Sequence, residues 1–304
     1  MTKNYLFLTV GKTTESTEAA EIKRYIGVGS TYIKGVNPDK KTLDSFMGFE
    51  SKNEPEYVKD KDDSKMAIIR FLTETDPTQC NDIDLKSSIT FILTNVPAYN
   101  KDKTKVQVID EYGNSTWTSV EDAKAGKKLF SSNGHELKIG SKYRMAYRGE
   151  ADLVAFLKTY LCVDDAFNYV NGSWVLKDNA SDYLFGLEHI KDYFKGDFSE
   201  LNEALKLQPN NKVKLLYGVR TTDKGQYQDI ASREGLFLRN SAGTNAIARM
   251  AKQLANDKQA GAYASTEFKV QELAEYDVKA TDLSTPQNND PLSAGSEDED
   301  NPWA

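Results

Sequence analysis

Cysteine and histidine are scarce: 304 residues hold two of each. Cys80 and Cys162 form no CxxC pair and no disulfide framework, so a reducing compartment is the default. Cys80, His135, Cys162 and His189 each lie about 25 or more residues from the next, unlike the close spacing of a zinc site. Neither histidine stands in a nucleophile motif, and no G-x-S-x-G occurs. Gly11-Lys12-Thr13 invites a phosphate-loop reading, but Leu6 stands where that loop needs its first glycine. No run approaches the ~20 apolar residues of a membrane helix. The opening MTKNYLFLTVGK is too short in apolar residues for a signal peptide and lacks a cleavage region. Without secretion, the sequons at Asn114, Asn171 and Asn179 are chance matches. These absences predict a protein that is no enzyme, holds no metal or cofactor, spans no membrane, and works in a cytoplasm.

What the chain has is uneven charge. The formal net charge is −7. Residues 281–304 carry six acids (Asp282, Asp290, Glu297, Asp298, Glu299, Asp300) and no base, which leaves the rest at 40 acids against 39 bases. Residues 281–295 are mostly Ser, Thr, Pro, Asn, Gln, Gly and Asp, with two leucines and no aromatic. Such a segment buries too little apolar surface to offset its ordering entropy, so 281–304 reads as a disordered tail. Acidic ends also serve solubility. This one, however, runs Glu297-Asp298-Glu299-Asp300-Asn301-Pro302-Trp303-Ala304. Charge for attraction, proline to stiffen and an aromatic to fill a pocket together describe a presented docking peptide.

Residues 1–280 read as one β-rich body with a helical insertion at about 150–207. Residues 24–36, rich in Tyr, Ile, Val and Thr with three glycines, predict a long bent strand. A short helix is expected over 39–48, and strands over 66–72 and 88–93. A hairpin is expected from 105–110 to 115–119 about Gly113. Residues 143–148 alternate as a strand, and 150–161, 183–194 and 197–207 have helical periodicity. A strand over 212–221 turns at 223–225 into a partner over 226–230. Short strands at 236–239 and 266–273 flank a helix at 244–257. The fold class expected is α+β with an OB-like β-barrel core: short strands with glycine bends fit a small closed barrel, of which the OB type is one, and periodicity alone does not separate it from a sandwich.

Single-strand binding needs cations for phosphates and exposed rings for bases. Rings interleave with bases in several strands. The candidates are Arg24, Tyr25, Tyr32 and Lys34 about the glycine-rich bend; Lys142, Tyr143, Arg144, Tyr147 and Arg148; Lys214, Tyr217 and Arg220 with Tyr227 opposite; and Trp117 on the first hairpin. A tyrosine on a strand is also an ordinary core residue, and a surface arginine an ordinary salt-bridge partner.

The acidic end with Pro302 and Trp303 resembles the tail of bacterial and bacteriophage single-stranded DNA-binding proteins. Those tails usually end on the aromatic itself, whereas here Ala304 follows. Residues 195–201, 207–214 and 260–263 (KGDFSEL, LQPNNKVK and AGAY) resemble replication-module proteins of large tailed phages. The resemblance implies an OB-like core that coats single-stranded DNA in phage replication or recombination. It implies a tail whose Glu297, Asp298, Glu299, Asp300, Pro302 and Trp303 recruit replication or recombination proteins. It also implies that tail and DNA compete for one basic groove. A non-enzymatic structural or virion interaction protein is the alternative, and the sequence leaves oligomeric state open.

Overall fold

The fold is that of a computed structural model, which describes residues 23–110, 112–131, 134, 136–137, 143–162, 167–170, 173–176, 190–207 and 209–278. The acidic tail, Gly11-Lys12-Thr13, His135, Lys142 and His189 lie outside the described residues.

The expected bent strand is β1 (Lys23–Val36). Helix α1 (Lys40–Met47) starts where the Asp39 carboxylate accepts from the Thr42 N–H and stops at Gly48 in the left-handed region. Three antiparallel strands follow: β2 (Val58–Lys61), β3 (Ser64–Thr75) and β4 (Lys86–Pro97). Between the last two, Asp76 caps a single 3-10 turn at Pro77–Gln79. The first hairpin forms as expected from β5 (Lys105–Asp110) and β6 (Ser115–Ser119). Then come α2 (Val120–Lys124) and the short pair β7 (Leu129–Phe130) and β8 (Glu136–Leu137).

Residues 143–148 are not one strand. β9 (Tyr143–Met145) pairs with β5, and β10 (Tyr147–Arg148) pairs with β4. Ala146 is the switch between sheets: its N–H donates to the Gln107 carbonyl and its carbonyl accepts from the Ala98 N–H. Helix α3 (Glu150–Leu161) follows, burying Leu153, Phe156, Leu157 and Tyr160. The expected helical insertion is mixed. It contains the hairpin β11 (Phe167–Val170) and β12 (Ser173–Leu176) before α4 (Ile190–Tyr193) and α5 (Ser199–Leu207). The chain closes with β13 (Lys212–Thr222), β14 (Gly225–Ile230), β15 (Phe237–Arg239), α6 (Thr244–Gln259), β16 (Thr266–Phe268) and β17 (Glu275–Val278).

The main sheet runs β10-β4-β3-β1-β13-β14 through antiparallel pairs. Lys214 pairs with Ser30 on one side and Leu238 on the other; Tyr217 pairs likewise with Gly27 and Ile230. So β14 and β15 share the outer edge of β13, and residues 231–236 loop out between them. A smaller sheet runs β6-β5-β9. The architecture is thus mixed α+β with antiparallel sheets. Among the described residues no ladder joins β4 to β14, so the expected closed barrel is not formed. Side chains knit the sheet to α3 instead: Phe156 of α3 meets Phe71 of β3, Phe91 of β4 and Phe237 of β15 at ring-centroid distances of 5.0, 5.1 and 5.6 Å. Aromatic packing of this kind excludes water without backbone pairing.

Alternation sorts β1 and β13 between two layers. Tyr25, Ile33, Val213, Leu215 and Tyr217 enter the main core with α3. Val28 and Leu216 face the other way, under Ile247, Met250 and Leu254 of α6. Farther along that second face, Val28 and Leu216 give way to the pairs Ser30–Lys214 and Tyr32–Lys212. The apolar helix face ends there and the sheet face becomes polar.

Candidate nucleic-acid interface

Cross-strand pairing places directly opposed residues on the same sheet face. Lys86 of β4 stands opposite Glu74 of β3, Glu74 opposite Tyr32 of β1, and Tyr32 opposite Lys212 of β13. Register thus builds one row across four strands with Tyr32 near its centre. The half-buried Tyr32 ring carries two ammonium groups: Lys34 Nζ at 4.7 Å and Lys212 Nζ at 5.5 Å from its centroid. The register shift between Ile33 and Gly35 leaves Lys34 between ladder pairs, free to turn towards the ring.

These lysines have partners. Lys34 Nζ lies 2.9 Å from Glu74 Oε2, and Lys212 Nζ lies 2.7 Å from Asp76 Oδ2. The Lys212 hydrogen bond holds the Asp76 carboxyl below the ordinary carboxylate range, and Asp76 in turn raises Lys212. Lys214 Nζ donates to the Ala242 carbonyl at 2.6 Å. Ala242 borders a shallow polar depression at the start of α6, also lined by Arg249. Glu272 Oε1 also lies 3.9 Å from Lys214 Nζ, so the face combines one ring, four lysines from three strands (Lys34, Lys86, Lys212 and Lys214) and three countering acids.

A second group lies at the far end of β1 and β13. The Arg220 guanidinium sits 5.7 Å from the centroid of Tyr227, its cross-strand partner. Arg24 Nη2 donates to the Gln226 carbonyl at 3.2 Å, and burial lowers its pKa. β1 leaves β13 at Gly27, whose φ of 136° and contact with the Ala274 backbone both require glycine. Beyond that point the Gln228 side chain ties the strands, accepting from the Tyr25 N–H and donating to the Gly218 carbonyl, both at 2.8 Å.

Three expected stacking rings are core residues. Tyr25 is 2% exposed and Tyr217 fully buried, their rings 6.4 Å apart, and Tyr217 shares a 2.8 Å hydrogen bond with Thr31 Oγ1. Tyr143 is buried under α2, its hydroxyl 3.4 Å from the Ala123 carbonyl. Arg144 is committed to the fully buried Glu150, which also accepts from the Tyr147 N–H. Tyr147 packs edge-on against Phe194 at 5.1 Å, with the Arg144 guanidinium 5.3 Å from its centroid. Arg148 is exposed on β10. The break at Ala146 is what separates Tyr143 from Tyr147.

Trp117 is exposed at 45% on β6 in the small sheet, directly opposite Gln107. Structure thus unites Tyr32, Lys34 and Lys214, pairs Arg220 with Tyr227 near Arg24, and sets Trp117 apart. The sequence reading sets Lys212 beside Lys214 but leaves out Asp76 and Lys86, which only the strand register brings to the site. Among the described residues no group of three His, Cys, Asp or Glu could hold a metal ion. No helix among them is long and apolar enough to cross a membrane. No family model, no curated protein and no solved structure matches this chain.

Proposed function

We propose that the chain binds single-stranded DNA without sequence preference, protects it during phage replication or recombination, and recruits partner proteins through its acidic tail. The observation that carries the reading is the Tyr32 ring between Lys34 and Lys212, with Lys214 on the same face. A half-exposed ring offers a stacking platform to any base, and the exposed Lys34 ammonium beside it meets a flanking phosphate while Lys212 adds positive field. The Lys34–Glu74 pair is partly solvated, so its exchange for a phosphate costs little. An OB-like core belongs to the same proposal. It is supported by the curl of the main sheet, in which β4 and β14, four strands apart along the order, approach within 8 Å between Cα atoms.

The test is titration of the full chain with labelled oligo-dT at two salt concentrations, beside Tyr32→Ala, Lys34→Gln and a truncation after Ala280. The expected result is binding that weakens steeply with salt, loses roughly fivefold or more in Tyr32→Ala, and tightens at low salt without the tail. No binding by the full chain at low salt overturns the reading.

A further inference from the structure

The cations around Tyr32 are engaged by Glu74, Asp76, Glu272 and a carbonyl. The small sheet offers the opposite case. Residues 100–105 form a tight turn ahead of β5. The Lys105 N–H donates to Asn100 Oδ1 at 2.7 Å, the Asn100 N–H to the Lys105 carbonyl at 3.1 Å, and the Lys103 N–H to the Asn100 carbonyl at 2.9 Å. This turn presents Lys101, Lys103 and Lys105, all exposed. Among the described residues no acid lies within salt-bridge distance of any of them. Asp102 stands between them in sequence, its Oδ1 accepting from the Thr104 N–H and hydroxyl at 3.2 and 2.7 Å; it forms no ion pair with the three lysines, though it keeps its charge.

Register joins the turn to Trp117. Lys105 pairs with Ser119 and Gln107 with Trp117, so Lys105, Gln107 and Trp117 share one sheet face. Lys105 is the diagonal neighbour of the indole, about 7–8 Å away on a twisted pair. The Gln107 side-chain amide, directly opposite the ring, makes no hydrogen bond among the described residues.

Resting on the single-strand reading, we propose that this face is a second and separate contact for single-stranded nucleic acid. One base stacks on Trp117, the Gln107 amide meets the edge of that base, and Lys101, Lys103 and Lys105 hold the adjoining phosphates. An amide presents a donor beside an acceptor and can be turned over, so it matches the edge of every base. An unpaired ammonium group has no acid to surrender before it meets phosphate. The face is therefore more ready for a polyanion than the Tyr32 row.

The test measures oligo-dT affinity and its salt dependence for the full chain. It compares Trp117→Ala, Trp117→Phe, the triple variant Lys101→Gln/Lys103→Gln/Lys105→Gln, and a control triple at the exposed Lys52, Lys191 and Lys206. Every substitution is at an exposed side chain, and thermal melting checks each fold. Trp117→Ala is expected to weaken binding by roughly fivefold or more, while Trp117→Phe keeps most of it. The patch triple is expected to lower the salt slope by about 2, at roughly 0.7 per phosphate contact, and the control triple to leave it unchanged.

Wild-type binding that Tyr32→Ala weakens, but that neither Trp117→Ala nor the patch triple alters, overturns this inference and leaves the parent reading standing. Absence of binding by the wild type overturns both. A peptide of residues 296–304 serves as the protein-like competitor. If the patch variants lose that peptide and keep oligo-dT, the face docks protein and the proposal fails.

Discussion

Asp152 gives the most direct check on the energetics of this fold. It lies in the first turn of α3, and its Oδ1 accepts from the Glu234 N–H at 2.8 Å. The loop carrying Glu234 is held on its other side by α6, where Gln253 Nε2 donates to Asp257 Oδ1 at 3.0 Å and Arg233 Nη1 lies 3.9 Å from the same oxygen. Burial pushes the Asp152 carboxyl from 3.8 up to about 6, against the pull of the Glu234 N–H and Arg233. The folded chain thus keeps this proton over a pH range in which the unfolded chain has released it. Stability conferred through this group falls as pH rises from about 4 to about 6 and is level above.

At ~1.36 kcal/mol per pH unit, the full shift corresponds to ~3 kcal/mol at neutral pH. Asp152 keeps partial contact with solvent, and a carboxylate in a first helical turn recovers ~0.3–1 kcal/mol from the helix dipole. The expected net is therefore about 1–2 kcal/mol. Asp152→Asn keeps the acceptor oxygen and cannot ionise. Urea unfolding near pH 4 and near pH 7.5 should show the variant matching the wild type in acid and exceeding it by that amount at neutral pH. Taking the difference between the two proteins cancels the other carboxylates, including Asp76, whose depressed pKa gives the opposite slope. A difference that stays constant with pH, or a variant weaker at neutral pH, refutes the reasoning.

Arg144→Ala leaves the fully buried Glu150 carboxylate without its cation, so a loss of about 3–5 kcal/mol is expected in denaturant unfolding. Any fall in DNA affinity of that variant then tracks its unfolded fraction, and vanishes when affinity is corrected for folded protein. Gly149→Ala sets a Cβ 2.1 Å from the Ile92 carbonyl oxygen at a φ of 81°, so it is expected to cost upwards of ~2 kcal/mol and to lower the melting temperature by several degrees.

Local chemistry made many elements legible in the sequence. Asp39 and Gly48 bracket α1, and the alternation of β5 and β6 about Gly113 gave their hairpin. Phe167–Val170 and Ser173–Leu176 flank Asn171-Gly172, the strongest short hairpin signal, yet the surrounding helical periodicity drew the stretch into a helical insertion. Residues 143–148 misled for the converse reason. Their alternation is continuous in sequence, but Ala146 hands the chain from one sheet to another through hydrogen bonds to Gln107 and Ala98. Nothing within six residues encodes partners that lie 39 and 48 residues away. The candidate site suffered in the same way. A tyrosine and a lysine look alike in sequence whether they face Leu216 or solvent, and only register decides it.

That distinction governs how charge is read on this molecule. The body has nearly equal numbers of acids and bases, so counting them locates no groove. What matters to a phosphate is how much each cation must give up. Lys212 would leave a nearly buried Asp76 carboxylate unpaired, which is costly in a poorly hydrated site. Lys34 would leave Glu74, which is 27% exposed and can be met by water. Lys101, Lys103 and Lys105 have no ion-pair partner to leave among the described residues. Ranked by that cost, single-strand affinity should be more sensitive to Lys105→Gln than to Lys34→Gln. Lys212→Gln should show mainly as lost stability, because it strands Asp76 whether or not DNA is present. Measuring melting temperature and oligo-dT affinity for the three single variants separates the two effects. Equal losses of affinity with unchanged melting in all three would mean that the ion pairs set no order among these lysines.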